Sequence, residues 1–271
     1  PSDAANYMDL SSLTTFADSL MKTADLKQYR ITGTINANMS IIGIPINANI
    51  PMDFRLKLNA DNTVQSAYIN LDVPYFIGVL QQDMTAKVYY EDGVLYFDRN
   101  WETSTGALWW KEYYDHHEYM KCTIDEFMAN PMKYVYFCTN FTSMVENAIN
   151  DAIAKSDQKA VRTGNIMFEE ALTGFYYNGS NQWNVNLDAA HLINNSDFSD
   201  QMSITVGKGS NGILNSISLS TRVLDMINLQ LNNGQLVNAD KSNVDMSVIP
   251  TGLSSNPNYV FGEVKVVETK K

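Results

Sequence analysis

Apolar and polar residues alternate strictly along two neighbouring segments early in the chain. In residues 29–41 the odd positions are apolar or glycine, and in residues 44–58 the even positions are apolar. Alternation with period two predicts β-strands that have one buried and one solvent-facing side. Both segments are far longer than the usual ~5–6 residues of a strand. Strands of that length coil strongly, which favours a half-barrel or a barrel over a flat sheet.

Apolar residues spaced three and four apart predict helices in two other regions. Residues 10–24 carry a single apolar stripe, which is typical of a helix lying on a larger surface. Further along, Thr123 and Glu126 have the form of a capping box. The pair Asn130-Pro131 has the form of a second helix start. The broad apolar face that follows predicts one continuous helix, which ends near Lys155.

The rest of the chain alternates between short apolar segments and turn residues. Glu91-Asp92-Gly93 is a hairpin turn signal between strands predicted at 84–90 and 94–98. The Trp-rich segment that follows predicts a further strand and its loop. In the last third, a short helix is predicted at 189–194, and strands are predicted at 173–177, 182–187, 202–206, 213–222, 226–231, 236–248 and 260–267.

Together these elements predict an α+β fold. We expect a long, strongly curved antiparallel sheet of about nine to eleven strands, a half-barrel, with helices packed on its concave face. We expect residues 1–8 to be a tether or a trimmed end. Residues 9–271 are expected to form a single curved-sheet domain with a helical insertion around 123–155, because no linker or repeat interrupts them.

Composition narrows the classes of partner. The 271 residues are 45% hydrophobic and 18% charged, with a net charge of −11 and a pI of about 4.6. Nucleic acid is excluded as an expected partner, because phosphate backbones attract Lys and Arg. No apolar run approaches the roughly 20 residues that a membrane-spanning helix needs.

Each residue that could serve in catalysis or metal binding also has an ordinary structural explanation. His116-His117-Glu118 is the one His cluster, and His191 is the third histidine. Adjacent side chains on a strand point to opposite faces, so the two histidines are poorly placed to share one ion. A solvated loop is the expected setting. No nucleophile elbow or phosphate-binding loop is present. We therefore expect no metal site, no cofactor and no enzymatic activity.

Cys122 and Cys138 leave two alternatives open. They could be two small buried thiols, or they could form a disulfide if the protein is exported. Closing a loop of ~15 residues in this way would contribute ~3 kcal/mol. The pair therefore does not decide the cellular compartment.

The strongest functional signal is apolar. The chain has 13 Met, 15 Tyr, 11 Phe and 4 Trp, and Met and aromatic residues line adaptable hydrophobic pockets. A well-filled core would use the same residues. If sheet and helices leave a cavity, face alternation predicts that the ligand contacts Met39, Ile50, Met52, Phe54, Ile69, Leu71, Val88, Tyr90, Phe137, Phe141 and Met144.

The order of elements resembles the bacterial LolA/LppX-like lipoprotein superfamily. The likeness is one of organisation over residues 9–250, and it is strongest in the helix-to-strand entry 20–35, the hairpin 88–97 and the strand-to-helix segment 183–192. The resemblance implies a half-barrel whose helices cover the concave face, and a role in carrying lipids or lipoprotein acyl chains. No functional residue is carried over from it.

These observations predict a non-enzymatic protein of the cell surface or cell envelope that binds or carries a lipid or another hydrophobic ligand. Peripheral membrane association would come from an N-terminal lipid anchor upstream of Pro1. The alternative is an interaction, sensor or scaffold module of the same fold, with a filled core, no ligand and a protein partner. The outer polar face would then be the functional surface.

Overall fold

The computed structural model describes residues 10–74, 83–107, 109–155, 172–187, 202–224 and 226–271. Four α-helices lie within these ranges: α1 (Leu10–Ala24), α2 (Ile124–Ala129), α3 (Pro131–Cys138) and α4 (Ser143–Lys155). None of these described helices is both long and apolar enough to cross a bilayer. The expected tether at 1–8 and the expected short helix at 189–194 lie outside the described residues.

Twelve strands are described, and all belong to one open antiparallel sheet. They are β1 (Gln28–Ile41), β2 (Ile44–Leu58), β3 (Val64–Val73), β4 (Met84–Glu91), β5 (Val94–Thr105), β6 (Glu112–Thr123), β7 (Leu172–Gly179), β8 (Gln182–Leu187), β9 (Met202–Lys208), β10 (Leu214–Val223), β11 (Ile227–Leu236) and β12 (Lys265–Lys270). The order across the sheet is β12-β6-β5-β4-β3-β2-β1-β11-β10-β9-β8-β7. The α+β class and the antiparallel sheet are confirmed, and the strand number exceeds the nine to eleven expected.

Two-residue turns connect the early hairpins. Ile42 and Gly43 both have positive φ, of 51° and 77°, and so do Asp92 and Gly93, at 50° and 79°. Positive φ at both central residues is the backbone of a type I′ turn, whose twist matches that of the flanking strands. The hairpin predicted at Glu91-Asp92-Gly93 is therefore confirmed.

The expected continuous helix from Asn130 to Lys155 is wrong. The capping box at Thr123 and the Pro131 start are both present, but α3 ends at Cys138 and a new helix begins at Ser143. Thr139 is extended, with φ −116° and ψ 150°. Thr and Asn side chains compete for backbone hydrogen bonds and so disfavour helix interiors. The stretch 139–142 holds two Thr and one Asn, which explains the break.

The described residues divide into two compact units. Unit 1 comprises residues 10–26, 31–47 and 145–242, and unit 2 comprises residues 27–30, 48–144 and 243–271. In unit 1, Phe16 of α1 packs on the rings of Phe175 and Trp183, with centroids 4.8 and 5.4 Å away. The Thr23 hydroxyl accepts a hydrogen bond from the Leu214 amide at 3.0 Å. These contacts hold α1 against β7, β8 and β10.

The break expected between the strands at 226–231 and 236–248 is instead a bulge inside β11. The strand runs through to Leu236, and its pairing with β10 shifts register between Ile217 and Leu219. A Cβ on Gly234 would lie 2.3 Å from the Ile217 carbonyl oxygen. Glycine thus permits a close backbone approach that no other residue allows. The separate strand expected at 236–248 is wrong, because β11 ends at Leu236 and the described residues 237–248 contain no strand.

Unit 2 has an aromatic layer on one side of its sheet. Tyr68, Tyr89 and Tyr96 pack with Leu253 and Tyr259 from the chain's last segment. β12 then pairs with β6, from Lys265 opposite Tyr119 to Lys270 opposite Tyr114. The sheet side that alternation predicts to be wet is therefore partly covered by residues far along the chain.

Candidate functional site

The opposite side of the sheet in unit 2 carries an apolar surface. Val88 of β4 lies opposite Ile69 of β3 and opposite Phe97 of β5. Leu95 stands two residues before Phe97 on the same side. Directly paired residues in antiparallel strands place their side chains on one face. These four side chains form the floor of a cavity.

Two short helices form the wall facing this floor. α2 begins directly after β6, because the Thr123 hydroxyl accepts from the Glu126 amide at 3.1 Å and the Glu126 carboxylate accepts from the Thr123 amide at 2.8 Å. Pro131 then starts α3 after a single intervening residue, Asn130. The helical lining residues are Ile124, Phe127, Met128, Tyr134, Val135 and Cys138.

The cavity is open to solvent on one side and has a volume of about 400 Å³. Its lining is apolar except for the Tyr134 hydroxyl and the Cys138 thiol. The mouth is apolar as well, since Met128 is 69% exposed and Ile124 and Val135 are also exposed. An exposed apolar rim around an apolar cavity suits a ligand that has little polar surface and that enters from water.

A packed aromatic cluster forms the inner wall. Tyr134 stacks on Phe97 with ring centroids 5.1 Å apart, and Phe127 lies 5.6 Å from Tyr134. Phe137 meets Phe97 edge to face at 6.1 Å. Met120 completes the cluster and is fully buried. The cavity therefore ends against a closely packed surface.

Both cysteines belong to this region and are free thiols. Cys122 is buried in the cluster and shares a hydrogen bond with Tyr134. Burial raises the pKa of Cys122, against the lowering effect of that bond. Burial also raises the pKa of Cys138 to about 12. The disulfide alternative does not occur in this structure, and neither thiol is poised as a nucleophile.

An ion pair borders the cluster. The Arg99 Nε donates to the Glu118 carboxylate at 2.6 Å, and its Nη1 donates to the Phe137 carbonyl at 2.9 Å. The guanidinium also lies 4.3 Å from the Phe137 ring. Arg99 therefore joins β5 and β6 to the end of α3. Its charge is balanced by Glu118, so the cavity has no unpaired cation at this side.

The structure brings together some of the predicted ligand contacts. Ile69 and Val88 line the cavity, and Phe137 lies in the cluster behind it. Register places four others on the same face without lining the cavity: Met52 and Leu71, which pair with each other, Phe54 opposite Ile69, and Tyr90 opposite Leu95. Phe141 and Met144 follow α3 and are half-buried. Ile50 is buried in unit 2, and Met39 is buried in unit 1.

Pattern reasoning did not identify the helical wall. A helix of six residues is too short to show a periodic stripe, so Ile124, Phe127 and Met128 were not distinguishable from surface positions. The capping box was the available signal, because it fixes where α2 begins. The strand at 94–98 was predicted, and its pairing with β4 would have added Leu95 and Phe97.

The histidine pair was expected to lie in a solvated loop, and this expectation is wrong. His116 and His117 are in β6 and point to opposite faces. The His116 ring stacks on Trp101 at 5.2 Å and pairs with Glu268 at 3.2 Å. His117 lies 2.8 Å from the Tyr119 hydroxyl. Among the described residues, no group of three or more His, Cys, Asp or Glu is placed to hold a metal ion.

No protein-family model and no curated protein matches this chain. Function is therefore inferred from the cavity and from the residues around it.

Proposed function

We propose that this protein is a non-enzymatic binding protein that holds a lipid or another hydrophobic ligand between the unit 2 sheet and helices α2 and α3. The observation that carries the proposal is the apolar cavity of about 400 Å³ between these elements. This volume falls within the ~300–1,000 Å³ typical of small-molecule sites. Its Met and Phe side chains are of the kind that adapt to flexible apolar ligands.

The chemistry of the lining supports binding rather than catalysis. The titratable lining groups are Tyr134 and Cys138, and burial raises the pKa of each to about 12. Neither group ionises near neutral pH, so neither serves as a base or a nucleophile there. A ligand in this cavity is held by apolar burial, and its polar end stays at the mouth.

The proposal extends to the finer fold and to location. A half-barrel with helices on its concave face, as the LolA/LppX resemblance implies, would place the cavity between the layers where that superfamily carries acyl chains. An exported or cell-envelope location with an N-terminal lipid anchor is part of the same proposal. Unit 2 contributes one observation in support, which is that its cavity lies between strands and helices.

One observation favours the alternative of an interaction module with a filled core. Phe97, Met120 and Cys122 are each at most 2% exposed, so the inner wall is packed as densely as an ordinary core. In this alternative the open space under α2 and α3 is a surface groove without a resident ligand. Mass spectrometry and ligand titration distinguish the binding protein from the interaction module.

The test is native mass spectrometry of the purified protein, followed by organic extraction, lipid analysis and titration with a dansyl-labelled fatty acid. We expect a co-purifying species of lipid mass and displacement of it by the probe. Val88→Phe should fill the floor and weaken probe binding at least about tenfold, because the cavity loses volume that the ligand needs. Val266→Phe, on an exposed strand position, is the matched control and should bind normally.

A lipid-free mass together with no uptake of the probe would overturn the proposal. So would equal probe binding by the Val88→Phe and Val266→Phe variants, provided that circular dichroism shows both to be folded. Either result would favour the interaction module.

A further inference from the structure

The β5–β6 hairpin ends in an exposed aromatic tip. The last paired residues are Thr105 and Glu112. Beyond them, Trp109 is 85% exposed and Trp110 is 66% exposed. In contrast, Trp183 is 1% exposed in unit 1. Indole rings of this size are seldom left in water, so two adjacent ones on a loop indicate an interaction site.

The described residues beside the two indoles make close backbone contacts. The Trp110 amide donates to the Ala107 carbonyl at 3.0 Å. Gly106 has φ 101°, and a Cβ at this position would lie 2.2 Å from the Trp110 carbonyl oxygen. Only glycine is compatible with that close approach. The contacts of Gly106 and Ala107 with Trp110 therefore hold the backbone at the base of the exposed indoles.

Paired charges surround the base of the tip. Lys270 pairs with Glu112 at 2.6 Å, and Lys271 pairs with Asp115 at 3.0 Å. Lys271 also pairs with Glu102. With Lys111 next to Trp110, three lysines and three carboxylates lie at the base of the tip, so its formal charge is close to zero. The tip thus lacks the uncompensated basic patch that recruits anionic lipids or nucleic acid.

We propose that the tip of Trp109 and Trp110 inserts into the interfacial layer of a phospholipid bilayer. Tryptophan is enriched at this depth, because its ring is apolar and its N–H hydrogen-bonds in the headgroup region. The paired charges at the base then lie at the level of the headgroups and water. Since the whole chain carries a net charge of −11, zwitterionic lipid is the favoured surface and anionic lipid repels the protein.

The tip and the apolar cavity lie at opposite ends of the same hairpin. Val94 pairs with Thr123 at the cavity end, and Thr105 pairs with Glu112 at the tip end. A strand rises ~3.3 Å per residue, so the two ends are roughly 35 Å apart. Membrane docking is therefore independent of the proposed ligand binding, and each can be tested without the other.

The test is flotation of the full chain with phosphatidylcholine vesicles, together with quenching of tryptophan fluorescence by brominated phosphatidylcholine. We expect the wild-type protein to float and its emission to be quenched. The Trp109→Ala/Trp110→Ala variant should partition at least about tenfold less, because most of the inserted apolar area is lost. Met21→Ala removes a comparably exposed apolar side chain from α1, which belongs to neither the tip nor the cavity, and is the matched control, with unchanged flotation.

Three results would overturn the inference. One is failure of the wild-type protein to float with phosphatidylcholine. Another is equal flotation of the double variant. The third is a fluorescence change with a soluble oligosaccharide such as cellohexaose but none with vesicles, which would make the tip a sugar-stacking platform. Adding phosphatidylglycerol should weaken flotation, and a marked increase with this lipid would contradict the neutral-surface argument.

Discussion

The ring of Tyr134 in α3 stacks on the ring of Phe97 in β5, with centroids 5.1 Å apart and planes inclined by 26°. Both side chains are nearly completely buried, and both line the cavity. This contact attaches the helical wall to the sheet. It also sets the distance between the two surfaces that line the open cavity.

Removing this contact should destabilise the packing of α3 against the sheet. We expect Tyr134→Ala to lower the free energy of unfolding by about 3–5 kcal/mol, the usual range for truncating a buried aromatic residue. Tyr134→Phe keeps the ring and loses the hydrogen bond with Cys122, so it should cost about 0.5–1.5 kcal/mol. Urea denaturation followed by circular dichroism measures both. Equal midpoints for wild type and Tyr134→Ala would show that the stack is not structural.

Cys138 offers a chemical probe of the cavity. Burial raises its pKa to about 12, against about 8.5 for a free cysteine, so the thiolate fraction at pH 8 is reduced by roughly three orders of magnitude. We expect iodoacetamide to modify Cys138 far more slowly in the native protein than in urea, as followed by mass spectrometry. A bound acyl ligand should slow the native reaction further.

The Cys138→Ala variant identifies which thiol reacts, because any remaining modification must then fall on Cys122. Rapid native labelling at Cys138, at a rate close to that in urea, would contradict the buried setting of this thiol. Unchanged labelling in the presence of a saturating fatty acid would place the ligand away from α3.

The ion pairs of Asp53 with two arginines lead us to expect that the free energy of unfolding depends on pH. Burial raises the pKa of its carboxyl, but hydrogen bonds from Arg55 at 2.9 Å and Arg30 at 3.0 Å outweigh burial, so the pKa is lowered overall. A lowered carboxyl pKa in the folded state contributes stability above the unfolded value of about 3.9, and this is lost as pH falls through the folded pKa.

We therefore expect Asp53→Asn to lower the free energy of unfolding by about 1–3 kcal/mol at pH 7, because Arg55 is left buried without its charged partner. The difference from wild type should persist down to about pH 4 and shrink below it. Urea denaturation across this pH range measures the difference. Asp72→Asn, an exposed carboxylate on β3, is the control; a pH-independent deficit for Asp53→Asn would refute the ion-pair explanation.

Sequence pattern predicted the long strands well and the helices less well. In β1 and β2 the alternation persists over so many residues that only an extended strand accommodates it. Between Cys138 and Ser143 the apolar spacing continues through Phe141, so periodicity could not reveal that the helix breaks there. The break comes from residues such as Thr139, whose hydroxyl bonds back to the Tyr136 carbonyl.

The cavity was predictable only in part. Ile69 and Val88 follow from face alternation, because a strand places every second residue on one side. The helical wall depends on how α2 and α3 fold back over β5, and no local pattern encodes that return. The aromatic layer on the other side is similar, since Tyr259 meets Tyr96 at 5.2 Å across more than half of the chain.

Unit 2 is assembled from segments that leave the ribosome at very different times. Residues 48–144 precede residues 243–271 by roughly 100 residues, which corresponds to about 5–20 s of synthesis. During that interval β6 has no β12 beside it, and Tyr68, Tyr89 and Tyr96 lack the cover that Leu253 and Tyr259 later supply. The nascent chain therefore exposes an unpaired strand edge and an apolar aromatic surface. Both features favour binding by a chaperone until translation is complete.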